Sequence, residues 1–158
     1  MLGIRFMMKS LMFININKII MKQEEKELLI KDLCARLPYD VKCKILETSE
    51  IKILSSVRYD WENTLFDFWE DDRKIQYDYQ LYLSEFKPYL FPLSSMTDEK
   101  CKELEEIDPE FYSLICENGE IYVSMDLRGY DWLNENHFDY RGLIPKGFAI
   151  DCTNLNIY

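Results

Sequence analysis

The chain has 158 residues, of which 47% are hydrophobic and 15% aromatic, and its formal net charge is −10 at pH 7. This apolar content excludes a disordered or collagen-like polymer, because such chains lack the apolar area that offsets the entropy of ordering the backbone. The acidic charge works against non-specific binding to nucleic acid or to an anionic membrane, and no local basic cluster stands out in the sequence.

Residues 1–20 form an apolar segment that contains no acidic residue. Asn15 and Asn17 interrupt it, no small-residue cleavage site follows, and the uninterrupted apolar run is far shorter than the roughly 20 residues of a membrane helix. A secretory signal and a membrane anchor are therefore not expected. We interpret 1–20 as a non-native or disordered extension before Met21, the expected natural start; the alternative is an apolar arm that packs on the domain or on a partner.

The first predicted element is an amphipathic helix over 22–37. Its apolar residues recur with helical spacing, and Glu27 and Lys31 form a pair four residues apart on the polar side. Pro38 predicts the end of the helix, because its ring removes a backbone donor and disfavours helical dihedrals in the residue before it. The predicted apolar stripe consists of Leu29, Ile30, Leu33, Cys34 and Leu37.

Four segments of alternating apolar and polar residues follow, and this period is typical of half-buried strands. The polar breaks between them are short, which predicts hairpins. The sequence therefore predicts an antiparallel meander of about four strands, forming a twisted sheet or a small open barrel. The four predicted strands cover 41–45, 51–59, 66–68 and 75–83.

The remainder of the chain is predicted to contain an extended segment, helices, one strand and, from Arg141 onward, a loop followed by a short extended segment. Residues 86–96 contain two prolines and should be extended, and Thr97 is placed to cap the next helix. Pro109 either closes that helix or begins a short second one over 111–115. A strand over 121–123 and a last helix over 126–136 are expected, with Leu127, Tyr130 and Leu133 of the last helix facing inward. The predicted fold class is α+β, with the N-terminal helix and the C-terminal helices packed on the sheet and a single domain over 21–158.

The five cysteines are odd in number and far apart along the chain, and none belongs to a Cys-x-x-Cys pair. A disulfide framework and a zinc site are therefore not expected, and each cysteine is interpreted as a small buried hydrophobic residue. This use of cysteine favours a reducing compartment, and we expect a cytoplasmic protein.

Three blocks of sequence occur in order along 21–158: KDLCARLPY at 31–39, KPYLFPLSSMT at 87–97 and DWLNENHFDYRGLIPKGFAID at 131–151. Together they resemble a family of small uncharacterised proteins from gut-bacterial genomes, their prophages and phages. The resemblance implies that Met21 is the usual start, and it implies no catalytic residue. Asp40 and Phe148 depart from the family pattern, which usually has glycine and leucine there.

His137 is the only histidine, and it lies near Asp139 and Arg141 in the sequence, which is compatible with a carboxylate-oriented base. The alternative that we favour is structural, because an imidazole near a helix C-terminus caps free carbonyl groups. A catalytic pair with Cys152 would require contact between the two side chains and a lowered thiol pKa. We expect no catalytic residue.

No metal or cofactor is expected from the sequence. Asp131 and Glu135 have the i, i+4 spacing of two carboxylates on one helix face, which we interpret as a solvated face. The acidic run at 70–72 lacks the glycine and the alternating acids of a calcium loop. The Lys146-Gly147 pair lacks the upstream glycine, and the hydroxyl residue after the lysine, that a phosphate-binding loop requires.

A belt of aromatic and acidic residues at 59–91 has more aromatic side chains than one face of a sheet can bury. Some of them should therefore be exposed among carboxylates, as is typical of binding anchors. The predicted binding residues are Trp61, Trp69, Tyr82, Asp71 and Asp72.

These observations favour a non-catalytic intracellular protein that binds another protein, in the setting of a phage or mobile element. No direct contact with nucleic acid or membrane is expected, and the partner and the oligomeric state stay open. One alternative is an acidic mimic of nucleic acid that inhibits a host or defence protein. Another is a small-ligand-binding protein, or an enzyme that uses His137 as its base. The block at 131–151 is interpreted as a structural clasp, because it is too apolar to remain in water.

Overall fold

The computed structural model describes residues 21–60, 63–70, 80–109 and 127–158, and within these ranges the fold is α+β. The predicted extension at 1–20, the short helix at 111–115 and the strand at 121–123 lie outside the described residues. The helices are α1 (Gln23–Arg36), α2 (Asp98–Ile107) and α3 (Leu127–Glu135). The strands are β1 (Lys42–Ile45), β2 (Ile51–Asp60), β3 (Asn63–Trp69), β4 (Phe86–Pro92), β5 (Phe138–Asp139) and β6 (Ile150–Asp151).

Helix α1 confirms the predicted first element. Its last turn passes into a 3-10 turn, Leu37–Tyr39, which contains the helix-ending proline, and Asp40 then adopts a left-handed backbone with φ 52°. Leu29 and Leu33 of the predicted stripe are buried, whereas Cys34 is exposed. The expectation that every cysteine is buried is therefore wrong at this position.

The strands form one mixed sheet in the order β3-β2-β1-β4-β5, with β6 also paired to β4. The pairs β1–β2 and β2–β3 are antiparallel, as predicted. The pair β1–β4 is also antiparallel but was not predicted, and β5 and β6 both run parallel to β4. The predicted meander is thus correct for its first three strands only. The sheet is not a closed barrel, because its order ends at β3 and β5.

Strand β4 is the main departure from the predicted architecture. The sequence indicated an extended connection there, because two prolines interrupt it, yet Pro88 lies opposite Cys43 in the centre of the sheet. The predicted fourth strand falls largely outside the described residues. Its described end contributes Leu81, which pairs with Phe66 on the side of β3 opposite β2.

A β-bulge in β2 changes which face of the sheet its side chains occupy. The register shifts between Leu54 and Ser56, because Leu54 pairs with Phe68 and Ser56 pairs with Asp67. A bulge inserts one extra residue into a strand and thereby breaks the two-residue period. Ile51 and Ile53 consequently lie on the opposite face from Val57 and Tyr59, whereas an unbroken alternation over the predicted strand 51–59 would place all four on one face.

Two apolar clusters stabilise the fold. The first lies between α1 and one face of the sheet and continues into the loop after β5, and the second lies where α2 and α3 meet. The first cluster contains Leu29, Leu33, Val41, Cys43, Ile45, Leu54, Phe66, Phe68, Phe86, Leu90, Leu143, Phe148 and Ala149. The second contains Leu104, Trp132, Leu133 and Phe138.

Helix α2 begins as predicted, because the Thr97 side chain accepts a hydrogen bond from the Lys100 backbone N–H at 3.4 Å. Helix α3 is oriented differently from the prediction. Leu133 is buried, but Leu127 is 71% exposed. In place of Leu127, the helix buries Gly129 and Trp132. Each of them comes one position before a residue of the predicted inward stripe.

A buried ion pair within α1, between Asp32 and Arg36, connects this helix to the end of α3. Arg36 is fully buried, and its Nε and Nη2 atoms donate to the carboxylate oxygens of Asp32 at 2.8 and 3.1 Å. The same guanidinium donates to the carbonyl oxygens of Leu133 (3.5 Å) and Phe138 (2.7 Å). Arg141 Nε lies 3.2 Å from Asp32 Oδ1. The sequence blocks at 31–39 and 131–151 are therefore in direct contact.

None of the helices in the described ranges is both long enough and apolar enough to cross a membrane.

Candidate binding surfaces

The face of the sheet that is turned away from α1 collects basic side chains. Partners in an antiparallel register share a face, so Lys44 shares one with Lys87 and Ile51, and Lys42 shares it with Ile53. This face continues across β3 through Trp69, which pairs with Ile53. We call it the cationic face and define it by Lys42, Lys44, Lys87, Arg58, Ile51 and Trp69. The sequence analysis missed it, because these residues are scattered along the chain.

The Asp67 carboxylate, on the cationic face, is hydrogen-bonded to neighbouring side chains. Asp67 is buried, and both of its oxygens accept hydrogen bonds from Arg58, at 2.7 Å each. The Ser56 hydroxyl donates to the same carboxylate. These hydrogen bonds hold the pKa of Asp67 below its ordinary value despite its burial, with the bond from Arg58 as the largest cause. Asp67 is therefore negatively charged at neutral pH, and this charge balances the positive charge of Arg58 rather than that of the lysines.

Lys44 and Lys87 are direct cross-strand partners on β1 and β4. Their Cβ atoms are about 5 Å apart in such a pair, and like charges placed directly opposite each other are destabilising. Within the described part of the chain, neither ammonium group makes a hydrogen bond or an ion pair. Both residues are partly exposed, so an anion can reach the positive charge between them.

Tyr158 closes one end of the cationic face. Its hydroxyl accepts a hydrogen bond from the Lys42 backbone N–H and donates to the Tyr89 carbonyl, both at 3.0 Å, so it joins β1 to β4. Lys42 Nζ donates to the Ile157 carbonyl at 2.8 Å. Burial raises the pKa of the Tyr158 phenol. Lys42 is thus engaged by the tail, whereas Lys44 and Lys87 face outward beside it.

A second surface lies at the end of the sheet where two turns meet. The Leu46 backbone N–H donates to the Glu85 carbonyl at 2.9 Å, which fixes the β1–β2 turn against the turn before β4. Leu46 is 43% exposed and Tyr82 is 50% exposed. We call this surface the acidic tip and define it by Leu46, Glu47, Glu50, Tyr82 and Glu85.

Hydrogen bonds hold the acidic tip in shape. The Tyr82 backbone N–H donates to Glu85 Oε2 at 2.7 Å, and the Glu85 N–H donates back to the Tyr82 carbonyl at 2.9 Å. In the neighbouring turn, the Thr48 hydroxyl donates to Glu50 Oε2 at 2.9 Å. Lys52 Nζ lies 3.8 Å from Glu50 Oε1 and offsets part of that charge. The tip is therefore a preformed surface with exposed apolar groups surrounded by carboxylates.

The structure separates the predicted binding residues. Tyr82 lies in the acidic tip, and Trp69 is half-buried on the cationic face, in the row of Lys42 rather than among carboxylates. Trp61, Asp71 and Asp72 lie outside the described residues. Tyr82 and Trp69 thus belong to two surfaces of opposite charge.

His137 is unsuited to act as a base at neutral pH. Its ring is buried and stacks on Tyr158 with centroids 3.9 Å apart, and Nδ1 has no hydrogen-bond partner in the described structure. Burial, followed by the nearby charges of Arg36 and Lys42, lowers the pKa of His137 to about 4. Nδ1 therefore does not cap a helix carbonyl, as the favoured structural role would require of the imidazole; the left-handed backbone of His137, with φ 58°, ends α3 instead.

The alternative partners of His137 are also occupied or unreactive. Asp139 does not orient the imidazole, because its two oxygens accept the backbone N–H groups of Leu143 (2.8 Å) and Ile144 (2.7 Å). Burial raises the pKa of the Cys152 thiol to about 11, so this thiol is protonated at neutral pH. A nucleophilic cysteine requires the opposite shift.

Among the described residues there is no group of three or more histidine, cysteine, aspartate or glutamate side chains that could hold a metal ion. Asp131 and Glu135 are both exposed, which agrees with their interpretation as a solvated helix face.

Comparison of the chain with protein-family models, with curated proteins and with solved structures finds no match.

Proposed function

We propose that this protein is a non-catalytic binding protein whose acidic tip takes a basic segment of a protein partner. The observation that carries the proposal is the placement of two half-exposed apolar side chains, Leu46 and Tyr82, on turns that are hydrogen-bonded to each other and rimmed by glutamates. An exposed aromatic residue of this kind is a typical anchor of a protein interface. The resemblance to phage and prophage proteins is compatible with a host protein as the partner.

The charge of the whole chain supports a basic partner. A net charge of −10 attracts cationic surfaces over several ångströms and speeds their encounter with the protein. The apolar groups of the tip then supply the short-range contact that a charge alone does not provide. A nucleic-acid-binding protein presents such a basic surface, so inhibition of one by mimicry is the narrower form of this proposal.

The chemistry of His137 supports the non-catalytic part of the proposal. A buried imidazole with a pKa of about 4 is a weak base, and its ring face is covered by Tyr158. General bases act best when their pKa lies near the working pH. Replacement of His137 should therefore change stability rather than an activity.

The test uses a labelled peptide of alternating lysine and leucine as a probe, with binding measured by fluorescence anisotropy at low and high salt. The variant Tyr82→Ala should weaken binding on the order of tenfold, because an aromatic anchor commonly contributes more than about 1 kcal/mol. High salt should weaken binding further, because it screens the exposed glutamates.

Tyr59→Ala is the matched control, since Tyr59 is 78% exposed at the far end of β2 and lies outside the tip. It should leave binding unchanged. Equal binding by Tyr82→Ala and the unmodified chain would overturn the proposal, as would binding that does not respond to salt. Capture of a host protein that is lost in Tyr82→Ala but kept in Tyr59→Ala would identify the partner.

A further inference from the structure

We infer that the cationic face is a second binding surface, which takes an extended acidic segment of a partner protein with apolar residues beside its carboxylates. This surface is distinct from the acidic tip and has the opposite charge. It does not depend on the function proposed above.

The first argument is the uncompensated pair at the centre of the face. Lys44 and Lys87 are placed directly opposite each other, which costs free energy through repulsion, and no described side chain neutralises them. An anion between the two ammonium groups would relieve this repulsion. The bound state therefore gains electrostatic stabilisation that the free protein lacks.

The second argument is that two carboxylates are committed elsewhere: Asp67, which lies on the same face, and Glu85, which precedes Lys87 in the chain. Asp67 is bonded through both oxygens to Arg58. Glu85, two residues before Lys87, directs Oε2 to the Tyr82 backbone N–H. These carboxylates are held by short hydrogen bonds, so they are not available to turn toward the lysine pair.

The third argument is the apolar surface beside the charges. Ile51 is the cross-strand neighbour of Lys44 and is 44% exposed, and Trp69 is half-buried in the adjacent row. Neighbouring strands are about 4.8 Å apart, so the row from Lys87 through Lys44 to Ile51 spans about 10 Å. An extended peptide can place a carboxylate on the lysines and an apolar side chain on Ile51 within that distance.

The overall charge decides between an acidic peptide and a nucleic acid. Nucleic-acid affinity grows with the number of phosphates that a protein neutralises, and the cationic face offers four cations, of which Arg58 is ion-paired and Lys42 is bonded to the Ile157 carbonyl. A long polyanion would also meet the repulsion of a chain with a net charge of −10. A short segment with a few carboxylates avoids most of this repulsion, so the structure favours the peptide.

The test measures anisotropy with the full chain and three labelled probes: a peptide of alternating glutamate and leucine, its counterpart with glutamine for glutamate, and a single-stranded oligothymidine. The glutamate peptide should bind, and the double variant Lys44→Gln/Lys87→Gln should lose on the order of tenfold in affinity. The glutamine peptide should bind more weakly by a similar factor. The matched control is Lys26→Gln/Lys31→Gln, which removes two exposed lysines of α1 and should leave binding unchanged.

A thermal melt of each variant separates binding from folding. Because the lysine pair is repulsive, Lys44→Gln/Lys87→Gln should melt at the same temperature as the unmodified chain or slightly above it, whereas a structural role would lower the melting temperature. Four outcomes would overturn the inference: no binding of the glutamate peptide, equal binding by the double variant, tighter binding of oligothymidine, or self-association that the double variant abolishes, which would make a second copy of this chain the occupant.

Discussion

Replacing Arg36 with methionine should destabilise the protein by about 3–5 kcal/mol, because it leaves the buried Asp32 carboxylate without its bidentate partner. The carbonyls of Leu133 and Phe138 also lose a donor. Urea denaturation at neutral pH measures the change. A loss below about 1 kcal/mol would show that Arg141, at 3.2 Å from Asp32, suffices to compensate the carboxylate.

Two further variants sharpen this measurement. Lys31→Met removes an exposed cation of the same helix and should change the free energy of unfolding by no more than about 0.5 kcal/mol. Asp32→Asn, introduced into the Arg36→Met background, removes the unpaired charge and should restore part of the stability. Strict additivity of the two substitutions would contradict a direct coupling.

The stability of the protein should depend on pH through His137. The folded state lowers the pKa of this imidazole from 6.5 to about 4, so the unfolded state binds a proton first as the pH falls. The free energy of unfolding should therefore decrease between about pH 6.5 and pH 4, by roughly 1.4 kcal/mol per unit. Arg36, Lys42, Asp40 and the Tyr158 ring are the groups that face the imidazole.

Urea denaturation at neutral pH and at about pH 5 tests this dependence. The lower pH is suitable because most carboxylates are still ionised at about pH 5. His137→Asn is the suitable comparison, since asparagine tolerates the left-handed backbone with φ 58° and does not titrate. The loss of stability on acidification should be smaller in this variant. If both proteins lost the same stability on acidification, the pH dependence would come from groups other than His137.

At the scale of elements, the block at 131–151 should behave as the clasp that its apolar composition indicated. Phe138 is buried in the second cluster, where its ring stacks on Trp132 with centroids 5.8 Å apart. Phe138→Ala should cost about 3–5 kcal/mol of stability. Ile144→Ala should cost less, because Ile144 is only partly buried.

Leu127→Ala is the control for this prediction, since Leu127 is a large apolar residue of α3 that is exposed. Its melting temperature should stay within a few degrees of the unmodified chain. If Phe138→Ala melted normally and instead lost partner binding, the block would be a binding surface rather than a clasp.

At the scale of the whole molecule, the net charge of −10 should make the protein more stable in moderate salt than in low salt. Self-repulsion among the carboxylates is screened when the Debye length falls to about 8 Å at physiological ionic strength. Differential scanning fluorimetry should show the melting temperature rising with salt. Glu105→Gln/Glu106→Gln, which removes two exposed charges of α2, should reduce that rise. A falling melting temperature would indicate that attractive ion pairs dominate.

The sequence by itself determined the elements whose signal is local. The period of α1, the stop at Pro38 and the Thr97 cap depend on residues within a few positions of each other, and all three are present in the structure. The alternation at 41–45 was also sufficient to place the buried side of β1. The α+β class followed from these patterns and from composition.

Only the tertiary structure decided the features that depend on residues far apart along the chain. The prolines of β4 gave no strand signal, yet β4 joins β1 to β5 and β6, because pairing partners rather than local propensity place it there. The bulge in β2 moved Ile51 to the face of Lys44, which no alternating pattern reveals. The sequence analysis did not single out the Asp32–Arg36 pair, because its burial depends on contacts across about a hundred residues. The cationic face has the same origin, because register alone brings Lys44 and Lys87 together.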